Sequence, residues 1–321
     1  MMIHKIGVLT SGGDAPGMNA AIRGVTRYAI QKGLTVEGIL RGYAGLLSHE
    51  TRPLDRRDVG EIIHRGGTML RTARCLEFME KDVQKEAAQY LRSLDIDALV
   101  VIGGDGSMKG AQALSQLGIP TITIPGTIDN DMMGTQYTVG FDTTINTVLS
   151  SVNKIRDTAY SHERVAVVEV MGRHAGFIAL YAGMAAGAEA VLVPEHPMEL
   201  SDLCAHLEES HRMKKMSSIV IVAEGAARST DVVKYIREHT YLEPNLTVLG
   251  YVQRGGSPSA YDSIMAGLFA QKAVDSLLAG TYNCVVGLLD SRIVATPYTE
   301  AEHLKFSIDE NMYQLVQWLG R

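Results

Sequence analysis

Short runs of Val, Ile and Leu without polar alternation recur along the chain, at residues 6–10, 98–102, 121–124, 165–170, 219–223 and 247–249. So short an apolar run is the pattern of a strand buried on both faces, as in a parallel sheet. Longer segments with helical character lie between them, at residues 18–32, 83–93, 108–117, 143–158, 175–186, 200–213, 231–239 and 259–279. Strand and helix alternating in this way predict an α/β fold, doubly wound around mostly parallel sheet.

Almost every apolar run leads into a turn that joins glycine to a chemically useful side chain. The turns are Ser11-Gly12-Gly13-Asp14, Gly103-Gly104-Asp105-Gly106-Ser107, Pro125-Gly126-Thr127-Ile128-Asp129-Asn130-Asp131, Met171-Gly172-Arg173, Glu224-Gly225 and Gln253-Arg254-Gly255-Gly256. In a parallel sheet such turns fall at the carboxyl ends of the strands, on the edge where open α/β sheets bind ligands. Glycines after a strand let backbone N–H groups approach a phosphate, and the following helix offers its positive end. Asp105 inside that turn would repel a pyrophosphate unless a divalent cation lay between them. The alternative is a capping turn with Asp105 or Ser107 as the helix N-cap. No Walker-type loop ending in Gly-Lys-Ser/Thr occurs, which excludes a P-loop.

Asp129 and Asp131, two residues apart beside Thr127, suit phosphoryl transfer, where one carboxylate accepts the acceptor hydroxyl's proton. An Asx-rich loop capping the helix after Gly140 is the plainer reading. Arg74, Arg164, Arg173 and Arg254 stand at or near such turns and strand ends. Guanidinium forks match phosphate oxygens, so four of them point to a nucleotide together with a sugar phosphate.

Composition narrows the class. The chain has 321 residues, enough for two domains, with 46% hydrophobic and 21% charged residues and a formal net charge of −6. An acidic balance argues against nucleic acid or an anionic membrane as partner. Three scattered cysteines, no leader pattern and no long apolar window predict a globular protein of the cytosol.

The runs GVLTSGGDAPGMN (7–19), VIGGDGS (101–107), PGTIDND (125–131), VMGRHAG (170–176) and VQRGGSP (252–258) together resemble the bacterial ATP-dependent 6-phosphofructokinase family. The resemblance implies two Rossmann-like domains, residues 1–140 with 253–303 for ATP and residues 141–252 with 304–321 for sugar phosphate. It implies an ATP site of Gly13, Arg74, Cys75, Gly104, Asp105, Gly106 and Ser107, with Asp105 holding Mg²⁺. Asp129 is then the base for the 1-hydroxyl of fructose 6-phosphate, assisted by Thr127, Asp131 and Arg173. The implied sugar contacts are Met171, Gly172, Glu224 and Arg254, with Arg164 reaching in from a neighbouring subunit of a homotetramer. Pyrophosphate-using relatives carry Asp and Lys where this chain has Gly106 and Gly126, so the two glycines favour ATP.

Two positions depart from the family pattern. Asn245 replaces a basic residue and Tyr251 a histidine, both ordinarily partners of the sugar 6-phosphate. A lost charge-assisted hydrogen bond costs about 1.5–3 kcal/mol, so weakened or altered sugar-phosphate binding is expected, and a kinase for another hexose phosphate is the rival reading. A weakly active regulatory subunit is a second rival. Arg23, Arg27, Arg56, Arg156, Glu189 and Lys215 match an effector site for nucleotide. Met213, Met216 and Ser217 there replace polar or basic residues, and altered regulation is expected.

Overall fold

The computed structural model describes residues 3–320. The chain forms two compact units. The first runs to Ile128 and adds Met132–Thr143 and Arg254–Phe306; the second holds Asp129–Asp131, Thr144–Gln253 and the chain from Ser307 onward.

In chain order the elements are β1 (Lys5–Ser11), α1 (Met18–Gln31), β2 (Thr35–Ile39), α2 (Tyr43–Leu47), β3 (Thr51–Leu54), α3 (Lys81–Ser93), β4 (Ala98–Gly103), α4 (Asp105–Gln116) and β5 (Thr121–Pro125). There follow α5 (Phe141–Ser161), β6 (Val165–Val170), α6 (Phe177–Ala186), β7 (Ala190–Leu192), α7 (Leu200–Arg212), β8 (Ser218–Ala223), α8 (Ser229–His239) and β9 (Pro244–Val248). The chain ends with α9 (Ala260–Leu278), β10 (Cys284–Leu289), β11 (Arg292–Pro297), α10 (Tyr298–Ala301) and α11 (Glu310–Leu319).

The first unit is built on a seven-stranded sheet in the order β11-β10-β5-β4-β1-β2-β3. Its inner strands are parallel, and β3 and β11 pair antiparallel at the two edges. Every residue of β4 and β5 is buried, as continuous apolar runs require. The second unit carries a four-stranded parallel sheet in the order β7-β8-β6-β9. The α/β expectation therefore holds. The six glycine turns do not share one sheet: three leave β1, β4 and β5, and three leave β6, β8 and β9.

Several elements escaped the apolar pattern. β2 is interrupted by Glu37, β3 contains Pro53, and β7 is three residues long. β9 begins three residues before the expected run, and it is not buried on both faces: Val248 is exposed, because β9 is an edge strand with no neighbour on its outer side. Among the described residues no helix is long and apolar enough to cross a membrane.

α1 and α9 pack closely. A Cβ on Gly24 would lie 2.7 Å from Ala270 Cβ and 3.5 Å from Gly267 Cα. Gly24→Val is therefore expected to overpack this contact and cost about 1–3 kcal/mol, read as a lower denaturant midpoint at unchanged slope.

Candidate active site

Backbone register aligns the turns of the first unit. Ser11 pairs with Gly103, and Gly103 pairs with Pro125, so three turns leave adjacent parallel strands at one level. Strand order also reverses here, with β2 on one side of β1 and β4 and β5 on the other. Loops leaving strands at such a switch point diverge and open a crevice at the carboxyl ends.

α4 starts in that crevice. Gly104 is its N-cap, in extended conformation, and no side chain caps the helix end; neither Asp105 nor Ser107 plays that part. Asp105 is the first helical residue, and its Oδ1 is buried without a hydrogen-bond partner. A buried, unpartnered carboxylate oxygen is costly, and a cation at that point would relieve it. The Thr72 hydroxyl donates to the Gly12 carbonyl over 2.7 Å, which draws the segment bearing Arg74 and Cys75 to the first turn. Burial, and secondarily Glu77, push the Cys75 thiol above its ordinary range, so it stays neutral at physiological pH. The Arg254 guanidinium lies over Gly13, where a Cβ would be 2.2 Å from Nη1, and 3.9 Å from Asp14 Oδ1. Thr127 packs against Gly104, and its carbonyl accepts the Thr138 hydroxyl over 2.6 Å.

The second unit carries the remaining turns. Val170 pairs with Ala223, so Met171 and Glu224 leave β6 and β8 side by side. The Met171 N–H donates to Oε1 of the fully buried Gln253 (3.1 Å), and the Arg173 N–H donates to Glu224 Oε1 (2.8 Å). Gly225 permits this approach, since a Cβ there would fall 2.0 Å from the Arg173 carbonyl oxygen. Arg173 Nε stands 3.8 Å from Asp129 Oδ2, too far for a hydrogen bond but within ion-pair range. Asp129 is 3% exposed, whereas the Arg173 side chain is largely in solvent. Asn130 (φ 53°) and Arg173 (φ 54°) both adopt the left-handed conformation, a strained choice for arginine. Asp131 beside them is half-buried. A cavity of about 200 Å³ next to Met171 is lined by Glu169, Val170, Glu224, Val248, Gly250 and Tyr251.

Other expected residues lie apart from these turns. Arg164 precedes β6, and Asn245 pairs with Ala166 near the amino end of β9, at the opposite end of the sheet from Met171. Arg23, Arg27 and Arg56 line a cavity of about 440 Å³ in the first unit, with the Arg27 guanidinium donating to the Arg56 carbonyl. Arg156, Glu189 and Lys215 belong to the second unit. There Lys215 pairs with the buried Glu189 at 2.8 Å, and Arg156 donates to the carbonyls of Ala186 and Gly187 at the end of α6.

Sequence reasoning passed over Glu169, Gln253 and Asp262. Glu169 is the one acid within an otherwise apolar strand, which is itself a signal. Gln253 and Asp262 are fully buried polar residues, a property that no local pattern reveals.

The geometry can be compared with known proteins. The family pattern described as Phosphofructokinase matches residues 5–277. The ATP-dependent 6-phosphofructokinase of Clostridium tetani is 52% identical over 318 residues, covering 99% of this chain and all of the relative. ATP-dependent 6-phosphofructokinase 1 of Clostridium perfringens is 51% identical over 319 residues, with the same coverage. Among solved structures, Saccharomyces cerevisiae phosphofructokinase superposes with a TM-score of 0.87 at 36% identity, covering 93% of this chain and 45% of the yeast one. Full-length similarity, the same fold and the glycine turns at the carboxyl ends of the strands agree: the chain belongs to the phosphofructokinase family.

Proposed function

We propose that the chain is an ATP-dependent 6-phosphofructokinase, converting ATP and D-fructose 6-phosphate to ADP and fructose 1,6-bisphosphate in glycolysis. Relatives named for that activity match its entire length at about half identity. The observation that carries the chemistry is the buried Asp129 carboxylate, 3.8 Å from the Arg173 guanidinium, at the end of the turn that follows β5. Asp129 accepts the proton of the sugar 1-hydroxyl as its oxygen attacks the γ-phosphorus, and ADP departs with the electron pair of the broken P–O bond. Arg173 offsets negative charge on the transferring group, while Thr127 and Asp131 orient the acceptor.

Gly13, Arg74, Cys75 and the turn from Gly104 to Ser107 bind the nucleotide in this reading. Asp105 suits Mg²⁺: a single carboxylate whose buried Oδ1 lacks a protein partner, at the N-terminus of a 12-residue helix, is the donor expected where most ligands of the ion are phosphate oxygens and water. Bound there, the ion would neutralise the phosphates during transfer. Met171, Gly172, Glu224 and Tyr251 contact the sugar, and Arg254 contributes a guanidinium. Arg164 and Asn245, at the far end of the second sheet, act on the site of a neighbouring subunit in a homotetramer. The cavity with Arg23, Arg27 and Arg56 suits an anionic effector, supplemented from a neighbouring copy by Arg156, Glu189 and Lys215. The cytosol is the fitting compartment for such an enzyme.

Two experiments test this assignment. Asp129→Ser should lower kcat by about 10²–10⁴-fold, the range for loss of a general base, while nucleotide binding persists; a loss of less than about tenfold in a coupled assay would mean that another group takes the proton. Gly106→Asp should fold normally, because a Cβ there meets nothing within 4 Å. Its added carboxylate beside Asp105 should raise the KM for ATP by about tenfold or more, with an unchanged melting temperature.

A further inference from the structure

Asp262 sits in the first turn of α9 and is fully buried, and the donors to its carboxylate are Tyr137, Gly140 and Thr143. Its Oδ1 accepts the Tyr137 hydroxyl (2.6 Å) and the Gly140 N–H (2.6 Å). Its Oδ2 accepts both the N–H (2.8 Å) and the hydroxyl of Thr143. Four donors converge on two oxygens, an arrangement that suits the ionised carboxylate. Burial raises the carboxyl's titration range, and these hydrogen bonds oppose the rise.

The local chemistry frees this carboxylate for the task. Ser259 caps α9 by accepting the Asp262 N–H (3.2 Å). In a reciprocal capping box the acid three residues on would turn back to the cap's own N–H. Here the Ser259 N–H donates to Thr143 Oγ1 instead (2.9 Å), so the Asp262 side chain points to the segment from Tyr137 to Thr143.

That segment faces two ways. Residues 137, 140 and 143 bond to Asp262, while residues 138 and 139 hold the turn after β5. The Val139 N–H donates to the Pro125 carbonyl (3.0 Å), Val139 bridges Gly126, and the Thr138 hydroxyl donates to the Thr127 carbonyl. Thr127 precedes Asp129 by two residues. We infer that Asp262 is a positioning residue for phosphoryl transfer: through Tyr137, Gly140 and Thr143 it fixes the strip of backbone on which Thr127 and the proton-accepting loop are registered. A buried carboxylate surrounded by neutral donors is a poor way to add stability, since well-packed apolar groups often serve as well or better. Geometric control of a reacting loop accounts for it, because a displacement of about 1 Å at a reacting centre is enough to cost about 10²-fold in rate.

The inference rests on the proposed role of Thr127 and Asp129, and the test separates the two. Full-length Asp262→Asn, Tyr137→Phe and Asp129→Ser are assayed together for kcat, for KM of ATP and of fructose 6-phosphate, and for thermal melting. Tyr137→Phe keeps the ring against Tyr261 and Phe141 while removing one donor, and it decides the matter if Asp262→Asn does not fold. The expected result is a kcat loss of about 10²-fold in Asp262→Asn and about tenfold in Tyr137→Phe, with the KM for ATP within about threefold. A group serving stability alone would lower the melting temperature and leave the kcat of the folded enzyme intact. Folded Tyr137→Phe with wild-type kcat, beside an inactive Asp129→Ser, would overturn the positioning role alone. An active Asp129→Ser would overturn the reading of the loop itself.

Discussion

The structure depends most on the register of its parallel ladders. Because Ser11, Gly103 and Pro125 are neighbours across β1, β4 and β5, the residues that follow them leave the sheet together. A slip of one residue would send every side chain of a strand to the opposite face. With both faces buried, a slip exposes no apolar group but exchanges side chains of different shape in two close-packed layers, so core packing and the alignment of the turns are one constraint. The pairing of Val170 with Ala223 does the same for Met171 and Glu224 in the second sheet.

This constraint explains how an acidic protein can hold anions. With a formal net charge of −6, no general field draws phosphate in. Attraction must come from short-range elements delivered by the strand ends: the start of α4, whose dipole is positive, and guanidinium groups such as Arg254 over Gly13 and Arg173 near Asp129. Under the proposed function, the carboxylates Asp105 and Asp129 stand close to the groups that would receive phosphate oxygens. They are tolerable there because a cation or an arginine offsets the repulsion, and an effective dielectric of about 20 leaves an unscreened pair at 4 Å interacting by about 4 kcal/mol.

Much of this was legible in the sequence because strand, turn and helix follow one another locally. The fully apolar runs revealed β1, β4, β5, β6 and β8, although the equally apolar inner strand β10 was passed over, and the glycine turns after them supplied Gly104, Asp105, Thr127, Asp129 and Arg173 as candidates. Strands that owe their existence to a neighbour did not announce themselves. β2 carries Glu37, which pairs with Lys5, and β3 survives Pro53 because it lies at an edge. The distribution of the turns over two sheets was equally invisible, since it follows from pairing and not from periodicity. Gln253 and Asp262 were missed for a related reason: their partners are 82 and more than 100 residues away in sequence.

The cavity beside Met171 adds a chemical distinction within the sugar half. Its lining includes two carboxylates, Glu169 and Glu224, and the Tyr251 side chain, and no cationic side chain. Carboxylates hydrogen-bond well to sugar hydroxyls and repel a phosphate dianion, while a phenol can donate to either. Ser229 donates to Glu169, and Glu224 accepts the Arg173 N–H, so both acids are already held in fixed orientations suited to reading hydroxyl positions. Under the proposed function, recognition of the polyol and of its phosphate is thereby split. On that reading the ring is met where β6 and β8 end. The 6-phosphate would then depend on cationic groups outside this lining, a set to which the uncharged Asn245 adds nothing. Selectivity among phosphorylated ketohexoses should accordingly follow hydroxyl stereochemistry at Glu169 and Glu224 more closely than the charge at the distal end of the sugar.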